Sequence, residues 1–257
     1  MMDDIEERAS RQASAVNAQL IVGVACFAGD IAAPSELAAS LPADCGAAFI
    51  FVQQLSRAGE TQTLLATSLT SRTTLPVINA RGGLMVERGS LYVIPLNVTA
   101  TMTGARICVT PLASGIACPA DALFTSLAQE FGSNAIGVVL SGGDSDRALG
   151  IRAIKQAGGI TFAQYPGSAR FPNTLISAID TGFVDFVLRP NEIAHELARI
   201  SQPKETAARG TLKHTQITRP EPIPTRSALA TAISVSTPNI NEIPSMPSSP
   251  RPTSRLA

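Results

Sequence analysis

The sequence predicts an α/β fold: an open, mostly parallel, doubly wound sheet with helices on both faces, followed by a disordered C-terminal tail. Three observations predict it. Strand-like runs such as Leu20–Cys26, Ala47–Val52 and Ala135–Leu140 are almost wholly apolar, which demands burial on both faces. They alternate with helix-forming stretches, the pattern of strand–helix–strand units. The pattern then stops near residue 200: the last 57 residues hold nine of the 18 prolines and no aromatic ring. Such a segment cannot bury enough surface to offset the entropy of ordering its backbone.

Along the chain, Leu20–Cys26 reads as the first buried strand, with a helix around Pro34–Ser40. Ala47–Val52 is the second strand and Thr61–Leu69 a second helical stretch. Short strands are expected at Val77–Asn79, Ser90–Ile94 and Arg106–Thr110, the last two separated by polar, loop-like residues. Ala122–Phe131 reads as a helix, Ala135–Leu140 as a strand and Ser145–Ala157 as another helix. Ile160–Gln164 and Phe183–Leu188 complete the strands, and Glu192–Ser201 closes the body as a helix. The expected organisation is a polar segment over 1–19, one domain over 20–200, and a Pro/Ser/Thr-rich tail over 201–257.

Composition narrows the function classes. With 20 basic and 20 acidic side chains there is no positive excess to hold a phosphate backbone, so no nucleic-acid partner is expected. The apolar runs fall far short of the roughly 20 residues of a membrane helix, so no membrane insertion is expected. The N-terminus carries Asp3, Asp4, Glu6 and Glu7 without an apolar stretch, unlike a signal peptide; the expected compartment is the cytoplasm. Cys26, Cys45, Cys108 and Cys118 read as reduced, mostly buried thiols. Lacking Cys-x-x-Cys spacing, and far in sequence from His195 and His214, they predict no zinc site; no metal or other cofactor is expected.

In open α/β sheets the chemistry gathers in loops beyond the carboxyl ends of strands. Ala25–Asp30, Gln53–Arg57 and Ser141–Arg147 are such loops here. Gly142-Gly143-Asp144-Ser145-Asp146 is a glycine turn that offers amides to a phosphate or lets Asp144 or Ser145 cap the next helix. Gly143-Asp144-Ser145 also resembles the block of the lipases named for Gly-Asp-Ser-Leu, with Glu192-Ile-Ala-His195 as the nearest approach to their Asp-x-x-His pair. There is no Gly-x-Ser-x-Gly elbow, Walker loop or His-Glu-x-x-His.

Together the three loops resemble the CheB-type chemotaxis methylesterases. Ile21-Val-Gly-Val-Ala-Cys-Phe-Ala-Gly-Asp-Ile31 is similar to that family's I-V-G-I-G-A-S-A-G-G-I. Phe51-Val-Gln-Gln-Leu-Ser56 is similar to V-V-Q-H-L-S, and Ser141-Gly-Gly-Asp-Ser-Asp-Arg147 to S-G-T-G-S-D-G. Val86–Pro95, Ala135–Leu140 and Ala178–Leu188 extend the likeness from about Leu20 to Ile200. The resemblance implies a serine hydrolase that demethylates chemoreceptor glutamates and, in some members, deamidates glutamines.

It also implies a triad of serine, histidine and aspartate from the first, second and third loops. Here Phe27 stands at the serine position and Gln54 at the histidine position; Asp146 alone is retained. Asp144 and Arg147 replace two glycines of the third loop, and Asn173-Thr174-Leu175 stands where the family has a Gly-Met-Pro turn. Phenylalanine cannot attack a carbonyl, and a glutamine amide neither takes up nor returns a proton at neutral pH. In a serine protease, loss of nucleophile or base alone costs on the order of a million-fold in rate. At about 1.4 kcal/mol per tenfold, that is roughly 8 kcal/mol of transition-state stabilisation. The plainer role left to Asp146 is an acidic group in the first turn of a helix.

Substitutes are few. Cys26 is a thiol, but one step along a strand end directs it to the opposite face. Ser56 and Ser145 lack a base, His195 lies on the closing helix and His214 in the tail. Two functions follow. The first is a non-catalytic methylesterase-like domain that keeps its fold and binds methyl-accepting chemoreceptors or another signalling protein. The second is an active ester or amide hydrolase with a rearranged nucleophile. Only about 19 residues precede the first strand, so control through an attached receiver domain is not expected in this chain; in other members the domain opens a longer fusion with a methyltransferase.

Overall fold

The computed structural model describes residues 19–27, 29–54, 65–112, 118–141 and 148–202. Its strands are β1 (Ile21–Phe27), β2 (Ala48–Gln54), β3 (Val77–Asn79), β4 (Leu91–Val93), β5 (Val98–Thr103), β6 (Arg106–Pro111), β7 (Ala135–Val139), β8 (Ile160–Gln164) and β9 (Phe186–Leu188). Its helices are α1 (Ala32–Ala39), α2 (Leu65–Thr70), α3 (Pro119–Phe131), α4 (Ala148–Gln156), α5 (Asn173–Asp180) and α6 (Pro190–Ser201). Seven strands form one sheet in the order β3-β4-β2-β1-β7-β8-β9, with every pair parallel. The predicted doubly wound class is therefore what the chain adopts.

Strand alternation feeds two apolar layers. Ile21, Ala25, Ile50, Val52 and Val139 pack with residues of α3, α4 and α5. Val22, Val24, Cys26, Phe49, Phe51 and Val138 pack with α1, α2 and α6. The first layer is thin over the sheet centre because β1 and β7 carry glycines there. A Cβ on Gly23 would stand 2.7 Å from Leu127 Cδ1 and 2.8 Å from Phe124, so α3 lies directly on the β1 backbone. The α3–α4 seam is as close: Gly150 N–H donates to the buried Asp121 carboxylate at 2.8 Å.

Four departures from the sequence expectation have physical causes. β5 pairs with β6 as a separate antiparallel hairpin through a two-residue turn at Gly104 (φ 55) and Ala105, where a polar loop had been expected before Arg106. Its Val98-Thr-Ala-Thr-Met-Thr103 sequence alternates, as a half-buried strand does; Ala100 and Met102 enter the core, and Met102 N–H donates to Ser126 Oγ of α3 at 2.9 Å. The unpredicted α5 buries Leu175, Ala178 and Ile179 at helical spacing. α3 begins at Pro119 rather than Ala122, with proline in its first turn, where its missing N–H costs nothing. β9 is limited to Phe186–Leu188, because Gly182 (φ 73) turns the chain and Thr161 Oγ1 holds the Phe183 carbonyl at 2.6 Å outside the ladder.

The expected helical starts at Thr61 and Ser145, all but residue 19 of the expected polar segment 1–19, and all but residues 201 and 202 of the expected tail 201–257 lie outside the described residues. Among the described residues no helix is long and apolar enough to cross a membrane.

Candidate active site

The sheet order locates the site before any side chain is considered. From β1 the chain proceeds to β2 on one side, whereas from β7, the other neighbour of β1, it proceeds to β8 on the opposite side. α1 covers one face and α4 the other. The connections after β1 and β7 thus part at their carboxyl ends, opening the crevice where ligands bind in such sheets. The three loops singled out in the sequence leave β2, β1 and β7, three adjacent strands.

Phe27 and Gln54 are placed by their main chains. They are Cα partners in the last register pair of β1 and β2, so they stand one strand spacing apart, about 4.8 Å in a regular sheet. On the other side of β1, Leu140 N–H donates to Ala25 O at 2.9 Å, which brings the start of the third loop alongside. Asp146 lies outside the described residues, as do Asp144, Ser145, Arg147, Ser56 and His214. Asp30 is buried, and its Oδ1 accepts Ala32 N–H at 3.1 Å, fixing the entry to α1.

Beyond the third strand lies a polar network that the sequence reading missed. Ser141 and Gln164 are both 1% exposed. Ser141 N–H donates to Gln164 Oε1 at 2.8 Å, and Ser141 Oγ accepts Phe171 N–H at 3.0 Å. Gln164 Nε2 donates to Ser168 O at 3.1 Å. Arg170 closes the circuit by donating from Nη1 to Gly29 O at 3.2 Å. Residues 29, 141 and 164–171 are thereby joined across the ends of β1, β7 and β8. The available signal was Gln164 itself, a polar residue finishing the otherwise strand-like Ile160-Thr-Phe-Ala-Gln164.

The alternative nucleophiles fare poorly where they are described. Cys26 is 1% exposed in the layer beneath α1, and its thiol donates to Val52 O at 3.6 Å. No disulfide joins the four cysteines; Cys26 and Cys45 are buried, Cys108 and Cys118 half-buried. His195 is exposed on α6, and Glu192 accepts Arg189 N–H at 2.8 Å at the start of that helix. The Glu192–His195 pair of the lipase-like reading is thus a helix cap and an exposed helix residue. No group of three or more His, Cys, Asp or Glu able to hold a metal occurs among the described residues.

A doubly wound parallel domain, with its candidate site at the switch point between β1 and β7, is the class this geometry defines. Residues 22–197 match the family model described as CheB methylesterase, and the chain belongs to that family. It is 34% identical over 182 residues to a protein-glutamate methylesterase/protein-glutamine glutaminase of Anaeromyxobacter dehalogenans, covering 69% of this chain and 53% of that one. It is 38% identical over 125 residues to an uncharacterized 104.1 kDa protein of Rhodobacter capsulatus, covering 48% of this chain and 13% of that one. The CheB methylesterase catalytic domain of Thermotoga maritima has the same fold: TM-score 0.63 at 23% identity, over 71% of this chain and 99% of that one. The chain spans about half the length of the methylesterase relative and far less of the larger protein.

Proposed function

We propose that this chain is a non-catalytic CheB-type domain that retains the family scaffold and binds chemoreceptor segments, or another signalling protein, at the carboxyl edge of its sheet. The observation that carries the reading is the register of β1 and β2. The two positions aligned with the family's nucleophile and base are neighbours at the carboxyl ends of β1 and β2, beside the switch point, in keeping with a triad frame, yet they hold Phe27 and Gln54. With glutamine at the histidine position, Asp146, the third aligned position, is left without the family's imidazole partner. Cys26, one residue before Phe27, is 1% exposed in the layer beneath α1, which argues against it as a substitute nucleophile.

The test is methanol release from methylated receptor membranes, run beside an intact family member. No release above the buffer rate is expected, and a fluorophosphonate probe should leave Ser56 and Ser145 unlabelled. Release that disappears in Cys26→Ala, Ser56→Ala or Ser145→Ala would establish an active hydrolase with a displaced nucleophile instead.

A further inference from the structure

Arg170 is the feature beside this site that neither the family motifs nor the triad argument uses. It lies in the β8–α5 connection and is exposed. Its guanidinium is nevertheless held at two points: Nη1 donates to Gly29 O at 3.2 Å, and the group sits 5.3 Å from the centroid of the Phe171 ring. Phe171 is itself anchored through its N–H to the buried Ser141 hydroxyl. Part of the rotamer entropy that an arginine loses on binding is therefore already lost. The described ion pairs are Lys155–Asp185 and Glu196–Arg199; Arg170 belongs to neither. Its remaining N–H donors have the planar fork that matches a carboxylate.

Gly29 is two residues beyond Phe27, so at most about 7 Å of chain separates the anchored carbonyl from the aligned nucleophile position. In an ester hydrolase a fixed cation here would favour the acid product over the neutral ester and retard its release. In a domain that only binds, the same cation distinguishes the two. We infer that Arg170 is a specificity residue that makes the carboxyl edge of this domain select a free glutamate carboxylate over its methyl ester.

This inference rests on the reading of the domain as a receptor-binding, non-catalytic one, and the experiment separates the two. The full chain, labelled with 15N, is titrated with N-acetyl-glutamate methylamide and separately with its γ-methyl ester. The Arg170 side-chain resonance, assigned with Arg170→Lys, reports the contact. The acid should shift that resonance saturably and bind about fivefold more tightly than the ester, within the range of an exposed charge-assisted contact. Arg170→Gln should remove the preference and Arg170→Lys keep part of it, with unchanged melting temperatures. Equal response to acid and ester, or a preference that survives in Arg170→Gln, overturns the inference. A second arm uses a helical peptide from a chemoreceptor methylation region bearing either glutamate or its methyl ester. If neither peptide binds while the small acid still selects Arg170, the receptor reading fails and the carboxylate selectivity stands.

Discussion

Phe27 and Gln54, the two positions that the resemblance aligns with the family's nucleophile and base, are neighbours in register. If the frame survives, the double change Phe27→Ser with Gln54→His restores the nucleophile and the base that the family combines with the aspartate at the Asp146 position. We expect ester hydrolysis to rise above background but to stay at least about a hundredfold below an intact family member, because a small misplacement of a reacting group costs that much. Asp144 and Arg147 stand where glycines allowed tight turns and close backbone approach. Initial rates of methanol release for wild type, each single variant and the double variant decide it. Either single change should be silent, since nucleophile and base act as a unit. Phe27, Gln54 and Asp146 were singled out because the loops around them keep a recognisable spacing; the register puts Phe27 beside Gln54, while Asp146 lies outside the described residues. Arg170 was not, because its bond to Gly29 joins residues 141 positions apart.

The elements divide by the kind of signal they leave. β1, β2, β7 and β8 were legible within one or two residues, since burial on both faces leaves continuous apolar runs. The β5–β6 hairpin was only half legible, because it packs one face on α3 and its alternating threonines read as loop. The seam between α3 and α4 left no signal, as a glycine within a helix has no periodicity to betray its role. It is nonetheless tightly constrained: a Cβ on Gly150 would lie 2.8 Å from Asp121 Oδ1, 2.9 Å from Phe124 Cβ and 3.0 Å from the Asp121 backbone. Gly150→Ala gains helix propensity but forces the helices apart, and the overlap should win. We expect a net loss of about 1–3 kcal/mol in urea unfolding. A stabilised Gly150→Ala variant would show that the seam relaxes freely.

For the whole molecule, the family match ends at residue 197 and α6 at Ser201. That last turn is fixed: Cys45 Sγ and Ser201 Oγ are 3.3 Å apart, and Ser201 O occupies the space a Cβ on Gly46 would need. Removing residues 203–257 should therefore leave the melting temperature within about 2 °C, whereas ending the chain before α6 strips Ile193, Ala194 and Leu197 from the core. Limited proteolysis of the full chain should stop near residues 198–206; protection beyond residue 220 would assign the tail a folded role. The sheet order itself was illegible, because apolar runs identify strands without stating which of them are neighbours.

The pairing of β1 with β7 has a consequence for synthesis. Ile21 pairs with Ala48 on one side but with Ala135 on the other. At ribosomal speeds of about 5–20 residues per second, β2 follows β1 within a few seconds, whereas β7 arrives on the order of ten seconds later. During that interval the nascent chain carries an apolar strand edge with no partner, the kind of surface that pairs with other chains. The demand this domain places on chaperones is thus set by the distance along the message between two neighbouring strands, and it is the same whether or not the finished site can cleave an ester.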